Sequence, residues 1–296
     1  MIEFTVCCAD LDAAIDFYTG ELGFRLDMIM PADAPRLALL SGHGVAVRLD
    51  VGEPRAHAPG RAGMVYRDLI PGRLGGRFIA SHIRIPDGGP VPDYVHYHRV
   101  RFQAIYCRRG WVRVVYEDQG APFVMHEGDC VLQPPEIRHR VLDASPGLEV
   151  IEIGAPAEHE TWRDHELELP SAQVRAKRVF SDQRFVRHVA KGAVWQRDGA
   201  GGFEFSDTGI ARATGGAASV RVLRALSLAP KVQSGEFLFL YVLAGSLILR
   251  GAALGTHAVG VDEAYVVPTG AHYTIEATAD CEVLEVTLPT PSKERA

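Results

Sequence analysis

His96 and His98 are separated by one residue, and that spacing implies chemistry once the chain between them is extended. Residues i and i+2 of a strand point to the same face, so the two imidazoles project together while Tyr97 points away. Two imidazoles on one face make a metal claw. Gln103 lies across the following turn and can supply an amide oxygen, and His139 follows the Pro134-Pro135 turn, where the chain can re-enter from a neighbouring strand. His96, His98, His139 and Gln103 therefore predict a site for one divalent transition metal, with ligand distances of about 2.0–2.2 Å and each ring oriented through its other nitrogen. Imidazole suits several ions, with iron or zinc leading and nickel, manganese, copper or cobalt as alternatives. Because Gln103 carries no charge, a bound divalent ion is expected to keep its full charge in the pocket and to acidify a bound water or enolate. The competing reading is three histidines inside a barrel that holds no metal.

Other side chains are candidates for the same pocket. His82 and Arg84 share one face of an expected strand and Ile83 and Ile85 the other, so the pair either lines the cavity as catalytic groups or faces solvent. Tyr106 and Arg108 have the opposite parity to Gln103 and are expected outside. His126 falls at a turn, and His159 and His165 sit in a charged stretch that reads as solvated.

These groups must be positioned by strands. The runs Phe78 to Ile85, Phe102 to Cys107, Trp111 to Tyr116, Cys130 to Gln133 and Glu149 to Ile153 are short, rich in β-branched and aromatic residues, and separated by Gly, Pro and Asp turns. The block repeats: Gly75-Gly76-Arg77-Phe78 through Gly110-Trp111-Val112 has a counterpart in Gly201-Gly202-Phe203-Glu204 through Gly245-Ser246-Leu247. A duplicated antiparallel barrel, each half roughly 95 to 110 residues, accounts for the spacing. In the second half Lys231, Gln233 and Leu238 stand at the positions of His96, His98 and Gln103, and Tyr273 stands at that of His139. His272 is one step off, and a one-residue slip on a strand reverses the face. The second half is expected to be structural.

The first fifty residues read as βαβββ: a strand at Glu3 to Cys8, a helix from Leu11 to Leu22, then strands near Phe24 to Met30, Arg36 to Leu40 and Val45 to Val51. Asp10 suits the helix N-cap and Gly23 the residue after its end. Ala14, Ile15, Tyr18 and Leu22 form one apolar stripe at helical spacing. Between this module and the barrels, the Gly/Pro/Ala-rich stretch from Gly52 to Gly63 has no periodicity and reads as a linker.

The His96-Tyr97-His98, Gln103 and Gly110 pattern, followed by Gly128, Pro134 and His139, resembles the two motifs of the cupin superfamily. Gln103 stands where that family usually has Glu, and Glu136 where its second motif has Gly. Ala14-Ile15-Asp16-Phe17-Tyr18 followed by Leu22-Gly23-Phe24-Arg25-Leu26 resembles the vicinal-oxygen-chelate, or glyoxalase-like, module. The positions that carry metal ligands in that module hold Thr5, Cys7 and Cys8 on the first strand and Arg48 and Asp50 on the fourth, so no metal is expected there. The implied fold is mainly β: a module at 1–52, then two double-stranded β-helix (jelly-roll) barrels, a metal-binding one at 60–168 and a degenerate one at 185–290.

The resemblance implies a bicupin enzyme acting on a small organic substrate with adjacent oxygens, such as a catechol, enediol or β-diketone, with dioxygen insertion as the leading chemistry. A zinc-dependent cyclase or isomerase polarising a carbonyl is the alternative, and a non-catalytic small-molecule-binding protein the third. Vicinal-oxygen-chelate modules work in pairs, so a homodimer through this segment is expected.

Composition narrows the partners. A formal charge of -6 leaves no basic excess for phosphates, so nucleic acid is not an expected partner. The basic run Arg175, Lys177, Arg178, Arg184, Arg187 and His188 reads as a solvated connector. Five cysteines without paired spacing point to buried free thiols in a reducing compartment. The longest apolar run, Phe237 to Leu249, is too short for a bilayer, and the N-terminus has no positive leader, so a cytoplasmic protein is expected.

Overall fold

The structure, a computed structural model, describes residues 2–51, 64–199, 202–224 and 227–290; the linker expected at 52–63 lies outside them. By internal contacts the chain falls into two compact units, one of residues 1–68, 72–127 and 133–181, the other of 69–71, 128–132 and 182–296.

The first unit begins with β1 (Ile2–Cys7), α1 (Leu11–Asp16), β2 (Arg25–Met30), β3 (Leu37–Gly42) and β4 (Val45–Asp50), the βαβββ order expected. The Asp10 side chain accepts a hydrogen bond from the Ala13 amide and starts α1, and Gly23 takes a positive φ of 68° after the helical segment. The helix departs from regular spacing. Phe17–Glu21 forms a wide turn in which the Leu22 amide bonds back five residues to the Phe17 carbonyl. The extra residue rotates the stripe, so Ala14, Ile15 and Tyr18 pack on the sheet while Leu22 is exposed. β1 pairs parallel with β4, and the sheet runs β1-β4-β3-β2.

That sheet does not stop at β2. Its next strand is β15 (Thr161–Arg163), paired through Thr161 to Ile29 and Trp162 to Met28. From there it continues through β8 (His96–His98), β13 (His139–Ala144), β10 (Trp111–Tyr116) and β11 (Phe123–His126), with β7 (Gly89–Pro90) paired to β13. A second sheet of this unit holds β9 (Phe102–Arg109), β14 (Leu148–Ala155), β6 (Ile79–Ile85) and β5 (Val65–Asp68) in that order. The two sheets face each other as a jelly-roll barrel. Gly110 turns β9 into β10 at φ 79°, where any side chain would also collide with Ser145. β6 is buried at every position but Arg84 and β14 at every position but Glu152. Strands covered on both faces lose the clean alternation of burial that a half-exposed strand shows.

The second unit is built the same way, with β12 (Cys130–Leu132) pairing with Val186–His188. Ser219–Arg224, Glu282–Leu288 and Phe237–Ala244 lie side by side in one sheet, and Ser227–Val232, His272–Ala277, Leu247–Gly251 and Gly255–Val259 form another. Its interior is filled by Leu223, Leu238, Leu240, Val242, Leu249, Tyr273 and Ile275. Lys231 and His272 face outward, and Gln233 turns its amide to the Gly235 backbone. The fold is mainly β, two cupin barrels after a βαβββ segment.

All five cysteines are free; Cys107, Cys130 and Cys281 are buried, but Cys7 on the outer strand β1 is exposed and Cys8 partly so, unlike the uniform burial expected. No helix among the described residues is long and apolar enough to cross a membrane.

Candidate metal centre

His139 on β13 stands directly opposite His96 on the neighbouring β8, and His98 is two residues further along the same face. Opposed side chains on adjacent strands have Cβ atoms only about 4.5–5.5 Å apart. The ring centroids of His96 and His139 accordingly sit 4.2 Å apart, with His98 at 5.1 Å and 5.2 Å from them. One nitrogen of each ring lies within 4.8 Å of the others, and all three residues are buried. Among the described residues this is the one group of three or more His, Cys, Asp or Glu side chains so placed.

Each ring is held from behind. His96 Nδ1 lies 2.8 Å from the Tyr94 carbonyl and His139 Nδ1 3.0 Å from the Ile137 carbonyl. A carbonyl can only accept, so both Nδ1 atoms carry the proton and Nε2 keeps its lone pair. His98 Nδ1 meets the Thr161 hydroxyl at 2.8 Å. Asp93 fixes the chain that delivers His96: its carboxylate accepts from the Tyr94 amide and, across the sheet, from the Val141 amide, and lies 3.6 Å from His96 Nδ1. Tyr116 stacks on the His139 ring and accepts a hydrogen bond from Gln133. Carbonyls, a hydroxyl and a carboxylate behind histidines are the usual devices that orient imidazoles toward a metal.

Gln103 comes from the opposite sheet, on β9, and is almost fully buried. Its amide nitrogen donates to Glu152 Oε1 at 2.5 Å, which fixes the amide's orientation, while its oxygen is buried with no hydrogen-bond partner. An orphaned amide oxygen costs roughly 1–3 kcal/mol, and an oxygen donor to a cation is one remedy. The residues present thus fit a divalent ion: three clustered imidazoles, two of them held with Nε2 free, and one unused oxygen.

All four side chains line one cavity of about 100 Å3, whose walls also include Ile83, Ile85, Ile105, Val114, Met125 and Val150. Of the two open candidates on β6, neither His82 nor Arg84 reaches it; Ile83 and Ile85 do. His82 is buried on the other face, with Nδ1 accepting from Arg67 and Nε2 donating to Glu149, and the Arg84 side chain is largely exposed. His126 is exposed, as expected. His159 is not in a solvated segment: it is buried with its ring 5.3 Å from that of His98, Nδ1 bonded to the Pro156 carbonyl and Nε2 without a partner. His165 is exposed, as expected, with its Nε2 bonded to the Leu26 carbonyl.

Glu152 was missed by sequence reasoning although a signal existed. It has the parity of Leu148 and Val150, both of which line the cavity, while Glu149 points to the outer face. Its carboxyl also changes the charge argument: the negative group absent at position 103 is present on the next strand, in contact with the Gln103 amide.

No family model matches the chain, and no curated protein does. Solved structures do match in fold. The oxalate decarboxylase of Lactobacillus farciminis, in a formate complex, is 13% identical over 80% of this chain and 84% of its own, with a TM-score of 0.57. An 11S globulin from Wrightia tinctoria, described with an auxin binding site, is 13% identical over 80% and 82%, TM-score 0.57. The protein Ylba from E. coli is 13% identical over 87% and 93%, TM-score 0.53. At such identity the likeness establishes the bicupin fold. The neighbours differ in what they do, so function has to be argued from the cavity.

Proposed function

We propose that this chain is a metal-dependent enzyme acting on a small, oxygen-chelating organic substrate, with a dioxygenase as the leading reading. The observation that supports it is the convergence of His96, His98 and His139 with the partnerless oxygen of Gln103 in one buried cavity. The three imidazoles and the amide oxygen would hold the ion. When bound, the ion would polarise the chelated oxygens as a Lewis acid and, if redox-active, pass electrons between substrate and dioxygen.

The chain's own residues supply the rest. The Tyr94 and Ile137 carbonyls keep Nε2 of His96 and His139 deprotonated toward the site, and the Thr161 hydroxyl, acting as acceptor, would do the same for His98. Glu152 holds the Gln103 amide in one orientation. Ile83, Ile105, Val114, Met125 and Val150 present an apolar wall that displaces water and receives the substrate's hydrocarbon part.

Elemental analysis of protein purified without added metal tests this. Iron at one equivalent, with oxygen uptake on adding a 1,2- or 1,3-dioxygen chelator, supports the dioxygenase. Zinc at one equivalent moves the assignment to a carbonyl-polarising cyclase or isomerase. A metal-free protein whose ligand binding is indifferent to His96→Ala sinks both.

A further inference from the structure

We infer that the cavity selects an apolar-bodied chelator bearing at most one negative charge, and that Glu152 is the residue that enforces this; the inference rests on the metal site proposed above. It follows from the lining. Three histidines, Gln103, Gln133, Tyr66, Tyr116 and Glu152 supply the polar groups, and the remaining surface is aliphatic or Met. No Lys or Arg side chain lines the cavity among the described residues.

Charge balance then decides what can enter. The imidazoles and the amide are neutral donors, so a divalent ion together with the Glu152 carboxylate leaves one net positive charge. A singly charged chelator, such as an enolate or a 2-oxo acid, cancels it. A dianion leaves an uncompensated negative charge in an apolar enclosure beside another carboxylate, and burying an unpaired charge is strongly unfavourable. A site built for a dicarboxylate would be expected to place a guanidinium where the second carboxylate lands, because that planar fork matches it. Here the facing sheet carries Ile105 and Val150, and the strand beside the histidines carries Val112 and Val114, instead.

Size sharpens the assignment. A cavity of about 100 Å3 is smaller than the roughly 150 Å3 that accommodates a benzene ring in a dry protein interior, so the chelating part of the ligand that enters it is compact. Glu152 acts in two ways within it. Through Gln103 it fixes the amide whose oxygen would hold the ion, and as a carboxylate on the cavity wall it would repel a second one.

Acetylacetone and malonate test the idea cleanly. They have the same number of heavy atoms and the same 1,3-dioxygen bite, but methyl groups in one replace carboxylate oxygens in the other. The full-length protein is loaded with cobalt(II), whose visible spectrum reports the site, and titrated with each. Affinities are expressed relative to aqueous cobalt at the same pH. The expected result is a preference of at least about tenfold for acetylacetone, and a loss of most of that preference in Glu152→Gln, which keeps a hydrogen-bond acceptor for Gln103. Malonate binding as well as acetylacetone to the unmodified protein overturns the inference while leaving the metal site standing. So does a preference unchanged in a folded Glu152→Gln variant. Failure to bind cobalt at one equivalent overturns both, and that outcome is visible before any chelator is added.

Discussion

Thr161→Val removes one hydroxyl and almost no volume, and its consequences follow from proton placement. Thr161 is 1% exposed and its hydroxyl oxygen lies 2.8 Å from His98 Nδ1. With the hydroxyl gone, a protonated Nδ1 has no acceptor, and a buried unsatisfied donor costs about 1–3 kcal/mol. Without metal, His98 can escape by moving its proton to Nε2, so the apo protein loses less than about 1 kcal/mol, the net value of an ordinary hydrogen bond. The metal cannot accept that tautomer. Binding must either restore the Nδ1 proton against its penalty or lose a ligand, and metal affinity falls about 10- to 100-fold, equivalent to roughly 1.4–2.7 kcal/mol.

The assay is competition for zinc against a chromophoric chelator, with thermal melts of the apo protein alongside. Thr161→Ser keeps the hydroxyl and is expected to restore affinity to within about twofold. An unchanged zinc affinity in Thr161→Val would refute the argument that back-side hydrogen bonds set the histidine tautomers. An equal loss in both variants would show that packing, not the hydrogen bond, matters at this position.

Three further perturbations separate the cavity from its surroundings. His82→Ala breaks the buried contacts with Arg67 and Glu149 on the outer face; stability falls by about 1–3 kcal/mol in denaturant titrations while zinc affinity stays unchanged. Ser81→Ala deletes a buried hydroxyl that has no partner, so denaturant titration finds it neutral or slightly stabilising, whereas a destabilisation above about 1 kcal/mol would show the hydroxyl to be bonded. Asp164 is subject to burial, which raises its pKa, but the Leu167 amide, Arg138 and the Glu166 amide outweigh it and hold the carboxyl below its ordinary value. A carboxyl depressed in the folded state contributes stability above its unfolded pKa of about 3.9 and loses it as pH falls through the folded value. Asp164→Asn therefore lowers the melting temperature at neutral pH and flattens the acid limb of its pH profile below about pH 4.

The strands of the first barrel were readable because their side chains are β-branched or aromatic and their turns carry Gly and Pro. Ile79–Ile85, Phe102–Arg109 and Trp111–Tyr116 lie within one or two residues of expectation. His96 and His98 were readable for the same reason: a period of two needs no tertiary information. The face of β6 was not readable, because both sides of that strand are buried and parity says which residues go together, not which way they go. Thr161 and His159 were invisible for another reason. They sit in a polar stretch, and what buries them is β15 joining β8, a pairing between positions 161 and 98 that no local pattern announces. Leu22 was misplaced because a regular helical period was assumed across a turn that is one residue wider.

The two barrels provide an internal comparison of what a site costs. At the position of His139 the second unit has Tyr273, and at that of Gln103 it has Leu238, both in a packed interior. Burial raises the pKa of the Tyr273 hydroxyl to about 12, keeping it neutral within that core. The first unit keeps His96, His98, His139, Gln103, Gln133 and Glu152 around a cavity instead. Burying an under-bonded polar group is unfavourable, and a cavity forfeits the dispersion contacts that a filled core makes. The same strands with aliphatic residues demonstrate that the fold itself demands neither the polar groups nor the space. The carbonyls behind His96 and His139 hold those rings' lone pairs inward, an arrangement of no use to a core. A ligand that binds only the folded state repays such a deficit in proportion to its affinity, so the deviation of the first barrel from the second is itself the argument that something cationic belongs there.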